Sequence, residues 1–465
     1  MHSTAFERSA PAAGIVTAAL AGSKLAPFWT EDVTAPPHPT LTGEHTADLV
    51  IVGGGYAGLW TAVLAKERDP ERTVVLLEAE TIGWAASGRN GGFVEASLTH
   101  GRQNGERRWP REVDRLDELG EQNLDAIGET IARYGMDVDW ERTGTLTVAV
   151  EPHQIEWLVD AGDPLDETAV RDEVHSPLFL AGAWDRHSTA LVHPAKLAVE
   201  LARVAAELGV IIFEHSAVTS IKGIGSVRVS TSTGTVTAAR VALATNVFPS
   251  LLRRNRMMTV PVYDYVLMTE PLSAAQLDSI GWTHRQGLAD LANQFHYYRL
   301  SADNRILFGG YDAVYFSGGR IRAKYEDRAM SHERLAAHFF SVFPQLEGLR
   351  FSHRWAGVID TSTQFCAYYG TARGGSVAYT AGFTGLGVGA TRFAANVMLD
   401  LLGGEPTELT RLRMVRRRPL PFPPEPLASI GINLTRWSLN RADHNRGRRN
   451  VLLRVLDALG LGFDS

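Results

Sequence analysis

The sequence predicts an α/β chain, α+β overall, in which a parallel sheet assembled from separated segments wraps around an inserted domain built on an antiparallel sheet. Three observations predict it. An apolar strand broken by glycines stands near the start, "ADLVIVGGGYAG" at Ala47–Gly58. A second strand, glycine-rich turn and helix, "VAYTAGFTGLGVGATRFAANVMLDLL", comes far later at Val377–Leu402. Between them, from Pro261 to Phe316, residues alternate with the period of half-buried strands.

The first strand, Ala47–Val52, is short, branched and without polar alternation, as a strand buried on both faces requires. It breaks at Gly53, Gly54 and Gly55, and Gly58 completes a G-x-G-x-x-G spacing. The first glycine permits the tight turn, the second lets backbone approach a pyrophosphate, and the third lets the next helix pack on the strand. That helix is predicted over Tyr56–Glu67, on apolar positions Ala57, Leu59, Ala62, Val63 and Leu64. Phosphates sit well on the free N–H groups of its N-terminus. A second strand, Thr73–Leu77, ends at Glu78 and Ala79, where a carboxylate accepts hydrogen bonds from a ribose. Strand, glycines, helix, strand and acid in this order describe a Rossmann-like dinucleotide site formed by Gly53, Gly55, Tyr56, Ala57, Gly58, Glu78 and Ala79.

The next segment, "TIGWAASGRNGGFVEASLTHG", is small, glycine-rich and irregular. Ser87, Gly88, Asn90, Gly91 and Gly92 let backbone amides press against a flat ligand, and Arg89 adds fixed positive charge. Further on, a charged helical pattern runs from Arg108 to Gly135, and "GTLTVAV", Gly144–Val150, reads as a strand. Pro194–Leu208 reads as a helix and Val210–Phe213 as a strand. Ser216–Ile221 with Ser226–Ser232 form a hairpin, and Ala238–Pro249 is a buried strand ending in a polar turn. A helix is predicted over Tyr325–Phe343.

These motifs together resemble the FAD-dependent oxidoreductases of the D-amino-acid oxidase superfamily, and "GWAASGRNGG" is most similar to the gamma-glutamylputrescine oxidase branch. The resemblance spans about Trp29 to Leu402. It implies FAD as cofactor, with the Ser87–Gly92 loop along the isoalloxazine ring. It also implies contacts near Val218 on the adenine side and a strand end at Ala244 and Thr245 that closes the dinucleotide fold. The later turn, through Gly382, Gly385, Leu386 and Gly387, would aim a helix N-terminus at the pyrimidine end of the ring, where reduced flavin carries negative charge. Relatives that attach flavin covalently do so through a cysteine near the position of Ala356 or Gly357; Cys366, the sole cysteine, lies further along, so non-covalent FAD is expected.

The division that follows is a loose tail and lead-in over 1–45, anchored by Phe28 and Trp29. An FAD-binding domain takes 46–97, 190–260 and 355–404. A substrate domain takes 98–189 and 261–354. The remaining 405–465 form a basic, proline-rich C-terminal arm with a short helix at "NRGRRNVLLRVLDALGLGF". This arm is expected to dock on the protein surface, with a membrane-surface contact as the alternative.

A chain of 465 residues has room for two domains, and a net charge of -6 argues against a nucleic-acid binder. One cysteine excludes an internal disulfide and any cysteine-ligated metal centre, and no metal site is expected. No apolar run approaches a membrane span and no basic n-region precedes "AAGIVTAALAG", so a cytoplasmic location is expected.

A flavin takes up the hydride itself, so the protein's task is to place a substrate C–H and keep its nitrogen unprotonated. Candidates for the substrate pocket are Tyr263, Tyr265, His296, Tyr298 and Trp355, each of which is also ordinary packing for a half-buried sheet. Arg299 is placed either to clamp a substrate carboxylate or to pair with Asp303. The expected reaction is oxidation of a C–N bond of a small amine or amino acid to an imine. Oxidation of a 2-hydroxy acid and a non-catalytic flavin-binding redox sensor are the alternatives. Relatives that oxidise N-methyl amino acids carry a lysine near the flavin; "RILFGG" and "GFTGLGVGATRF" contain none, which leaves oxygen and an unknown electron acceptor both open.

Overall fold

The computed structural model describes residues 2–159 and 161–458. Its first sheet is centred on Gly43–Val52, which runs parallel to Val74–Leu77 on one side and to Gly234–Leu243 on the other. Ile211–Phe213 and Val377–Ala381 extend this parallel set outward. The absence of polar alternation in the central strands has a direct cause. Leu49, Ile51, Leu76 and Ala242 face the helices Tyr56–Arg68, Pro194–Glu207 and Gly387–Gly403, whereas Val50, Val52, Val75 and Val241 face the hairpin residues Ile221, Val227 and Val229. Each buried valine, leucine or isoleucine among them contributes about 1.5–3 kcal/mol by leaving water, on both faces of the sheet.

Among the described residues the second sheet has nine strands and is mainly antiparallel. Thr259–Thr269 lies between Phe351–Ser362 and Ile306–Gly310, and His296–Leu300 pairs with the latter. Two pairings in it are parallel, Lys24–Leu25 with Phe351–Ser362 and Gly287–Asp290 with Thr145–Ala149. Leu335, Ala336 and Phe339 of the helix Ala329–Val342 pack under one face of it. The strand Phe351–Ser362 is paired along Thr259–Thr269, so the chain leaves this sheet only after Ser362 and rejoins the first at Tyr368–Ala372.

Four expectations need correction. The tail before Pro27 is not loose: Ala5–Arg8 and Ala13–Leu20 are helices that bury Phe6, Val16 and Ala19 against the core containing Leu335 and Phe339. Their small residues allow close approach, and Thr4 with Glu7 caps the first. The helix expected from Arg108 begins only at Val113, after Pro110, and runs to Arg133; a separate helix, Arg102–Arg108, precedes it. The helix expected from Tyr325 begins at Ala329.

The C-terminal arm, finally, is more than a surface attachment. Its helices Leu427–Asp443 and Val451–Ala458 lie against the mouth of the central cavity. Hydrogen bonds from Tyr315 to Glu425 and from Asn293 to Asp443 tie it down. The end of the predicted tail helix, 459–463, lies outside the described residues. Among the described residues no helix is long and apolar enough to cross a membrane.

Candidate functional site

A cavity of about 1040 Å³ opens at the carboxyl ends of the parallel strands, beside Val52, Leu77 and Ala244, and is closed opposite by the second sheet. Open α/β sheets bind ligands at this end, and small-molecule sites reach roughly 300–1,000 Å³, so the volume accommodates a dinucleotide.

The first glycine turn shapes one wall. Gly53 has φ +113°, and a Cβ there would lie 2.4 Å from the Ala244 carbonyl oxygen. A Cβ on Gly58 would lie 1.9 Å from the Gly53 carbonyl oxygen, so this glycine is needed for helix–strand contact. The Tyr56 amide, at the helix N-terminus, donates to Ser87 Oγ at 2.9 Å and so joins the helix to the irregular loop. Trp29 Nε1 donates to the Asn90 carbonyl at 3.0 Å, and Trp355 Nε1 to that of Arg89 at 2.9 Å, pinning the loop from outside.

Glu78 accepts from the Gly54 amide at 2.6 Å, the Glu80 amide at 2.9 Å and Trp84 Nε1 at 2.9 Å. Burial nevertheless pushes its carboxyl upward. The far glycine turn is held by Asp360, whose carboxylate accepts the Gly382 and Phe383 amides at 2.5 and 3.2 Å; burial pushes it up to about 7. The helix Gly387–Gly403 starts there, and its first N–H groups have no carbonyl of their own helix to bond.

Of the residues expected to hold the cofactor, most line the cavity. Gly53, Gly55, Tyr56, Ala57, Glu78 and Ala79 lie on one side. Ser87, Arg89, Asn90 and Gly91 come from the loop, Val218, Ala244 and Thr245 from segments that follow the strands Ile211–Phe213 and Gly234–Leu243, and Gly385, Leu386 and Gly387 from the far turn. Gly58, Gly88, Gly92 and Gly382 do not line it. They sit where other atoms pass close by, such as the Gly83 carbonyl oxygen 2.4 Å from a Cβ on Gly88 and that of Val192 2.2 Å from one on Gly92.

Bare polar atoms show that this wall suits a polar ligand. Thr391 Oγ1, Thr380 Oγ1 and Asn246 Oδ1 are buried along the cavity without a partner in the protein, an arrangement that costs stability unless something else bonds them. With the glycine cradle and two helix N-termini, these groups fit a flavin dinucleotide. Cys366 is buried and does not line the cavity, and among the described residues no lysine does.

None of the five aromatic candidates lines the cavity. Tyr263 and Tyr265 lie on the opposite face of their strand, in the core beneath the helix Ala329–Val342, and Tyr265 Oη donates to the Tyr325 carbonyl. Tyr298 shares that core with Phe308 and Trp282. His296 is buried there too, with Nδ1 2.6 Å from Asp290 and Nε2 2.9 Å from His338. Trp355 shares the cavity's side of the sheet but is walled off by Phe28 and Trp29. Arg299 neither clamps a ligand nor pairs with Asp303. It donates to the Val192 carbonyl at 2.6 Å and, at 3.4 Å, to that of Gly92, while Asp303 pairs with Arg305.

The residues between the candidates face the cavity instead: Val262 and Asp264 on one strand, Tyr297 on the next but one. Tyr297 Oη donates to Asp264 Oδ2 at 2.5 Å. Burial lifts the Asp264 carboxyl to about 6, against the lowering effect of that hydrogen bond. The two arginines of the wall are engaged elsewhere, Arg89 with Glu326 at 2.7 Å and Arg436 with Asp312 at 3.4 Å.

Comparison with known proteins agrees with this geometry. The family described as FAD dependent oxidoreductase (DAO) matches residues 48–401. The chain is 31% identical over 406 residues to a gamma-glutamylputrescine oxidoreductase of Escherichia coli (strain K12), covering 83% of this chain and 90% of that one. It is 29% identical over 399 residues to a probable oxidoreductase of Haemophilus influenzae, covering 80% and 86%. Among solved structures, glycine oxidase from Geobacillus kaustophilus superposes with TM-score 0.65 at 19% identity, covering 80% of this chain and 99% of that one. L-proline dehydrogenase from P. horikoshii also superposes with TM-score 0.65, at 15% identity, covering 80% and 96%. At these identities the two structures speak for the fold.

Proposed function

We propose, from the premise that this chain belongs to the DAO family of FAD-dependent oxidoreductases, that it oxidises a C–N bond of a small amine or amino acid to an imine. Water then hydrolyses the imine to a carbonyl compound and an amine or ammonia. FAD, when bound, supplies the hydride acceptor.

Gly53, Gly55, Tyr56 and Ala57 would hold its pyrophosphate, Glu78 its ribose, the Ser87–Gly91 loop its flat ring, and Gly385–Gly387 the ring's anionic end. Among the described residues no thiol lines the cavity, which supports non-covalent binding over attachment through a cysteine.

The observation that carries the substrate class is the Asp264–Tyr297 pair. Burial pushes the Asp264 carboxyl up to about 6, near neutral pH, where it can exchange a proton, and the arginines of the wall already face other carboxylates. A buried anion of this kind attracts an ammonium group. It then takes the N–H proton, freeing the lone pair that the departing hydride requires. Tyr297 fixes the carboxylate and donates a hydrogen bond that keeps it ionised.

A 2-hydroxy acid needs a cationic clamp instead. Arg299 is bound to backbone carbonyls, so no observation favours that reading.

The test is the visible spectrum of the FAD-loaded protein, held without air and mixed with polyamines, amino acids and hydroxy acids. Bleaching by an amine or amino acid is expected, and admitting air then separates oxygen from another acceptor. Bleaching by hydroxy acids alone would overturn the proposal.

A further inference from the structure

We infer that the C-terminal arm docks the enzyme on an anionic phospholipid surface. The helix Leu427–Asp443 has two apolar edges. One faces the cavity mouth through Ile432 and Leu439. The other is largely exposed: Leu427, Ile430, Leu434 and Trp437 are 58, 53, 48 and 54% exposed and recur at the helical spacing of three and four, Leu427 and Leu434 at the rim of the cavity and Ile430 and Trp437 clear of it. Isolated exposed apolar residues are ordinary, but a continuous row on one helix marks a contact surface. Val451 and Val455 add a second bare edge on the following helix.

Charge identifies the occupant. Residues 411–458 hold eleven arginines against Glu425, Asp443 and Asp457, in a chain whose net charge is -6. Four of those arginines, Arg441, Arg448, Arg449 and Arg454, line one hollow of about 310 Å³ between the two helices, together with Ser438 and Asn445. Arg449 pairs with Asp457, whereas among the described residues Arg441, Arg448 and Arg454 meet no carboxylate. Arg441 lies over the Trp437 ring at 5.4 Å, joining the basic hollow to the apolar row.

A row of leucine, isoleucine and tryptophan bordered by arginines matches a bilayer interface. Apolar side chains enter the acyl boundary, tryptophan sits at headgroup level and guanidinium groups bond lipid phosphates. Nucleic acid would satisfy the arginines but leave the apolar row in water. This docking is independent of which substrate the cavity accepts.

The test is sedimentation of the full-length, FAD-loaded protein with vesicles of phosphatidylcholine containing phosphatidylglycerol, beside vesicles of phosphatidylcholine alone. Binding to the anionic vesicles is expected, weakened by high salt as exposed charges are screened. Ile430→Ser with Trp437→Ser, and separately Arg448→Glu with Arg454→Glu, should each reduce the bound fraction about tenfold with flavin absorbance unchanged. Three results would overturn the inference: no sedimentation with anionic vesicles, equal sedimentation with neutral ones, or a dimer in solution that the Ile430/Trp437 variant splits. Tighter retention by RNA than by the vesicles would overturn it as well.

Discussion

The carboxylate of Asp360, in the second sheet, accepts the amide of Gly382, in the far glycine turn of the first, at 2.5 Å. One side chain thereby ties the two sheets together just before the helix Gly387–Gly403 begins. Burial raises this carboxyl to about 7, so the folded state holds its proton more tightly than the unfolded chain does. Its contribution to stability is full below the unfolded value near 3.8 and is lost as pH rises through about 7. Asp360→Asn removes this dependence, and Tm plotted from about pH 4 to about pH 7 should be flatter for the variant. It also leaves one turn amide without an acceptor, and FAD affinity, read from flavin fluorescence, should fall about tenfold.

Asp264 sets a different profile. If it takes the substrate's proton, kcat/KM climbs with pH and levels off above about 6. Asp264→Asn should erase that limb and lower kcat/KM roughly 10²- to 10⁴-fold while the protein still binds FAD. An unaltered limb in the variant would assign it to another group.

Tyr297→Phe removes the hydroxyl that favours the ionised form of Asp264. The acid limb should therefore move to higher pH, by something on the order of half a unit to one unit. A merely structural tyrosine would change Tm and leave the limb in place.

Two glycines separate folding from ligand binding. Gly53→Ala meets the Ala244 carbonyl at 2.4 Å in a backbone conformation alanine rarely adopts, so the protein should lose both Tm and FAD. At Gly387 an added Cβ would meet nothing nearer than Phe383 at 3.8 Å, yet the residue lines the cavity. Gly387→Ala should leave the Tm of the FAD-free protein unchanged and weaken FAD binding about tenfold or more.

The glycine turns were legible because backbone contact demands glycine wherever it occurs, whatever the rest of the chain does. Gly58 and Gly382 proved to serve packing rather than the cavity wall, a distinction of ångströms that spacing does not carry. For the second sheet, alternation showed that Tyr263 and Asp264 face opposite ways. Which face met the helix Ala329–Val342 was decided by tertiary packing. The rings of Tyr263, Tyr265 and Tyr298 went to that core, leaving Val262, Asp264 and Tyr297 for the cavity. Asp264 was hidden by its type, since an acid in a strand reads as a solvent-facing residue. The start of the chain was hidden by its composition: "AAGIVTAAL" reads as loose until a partner helix is known.

The interleaving of the first sheet governs when a newly made molecule can mature. Gly234–Leu243 pairs with Gly43–Val52 on one edge; on the other, Thr235–Ala238 pairs with Val227–Ser230 and Val241–Leu243 waits for Val377–Tyr379. On the ribosome, therefore, the N-terminal glycine turn is complete long before its counterpart has been translated, and the nascent sheet carries an unpaired edge meanwhile. A site that needs both glycine turns is therefore complete only once the last strand of the sheet has been made.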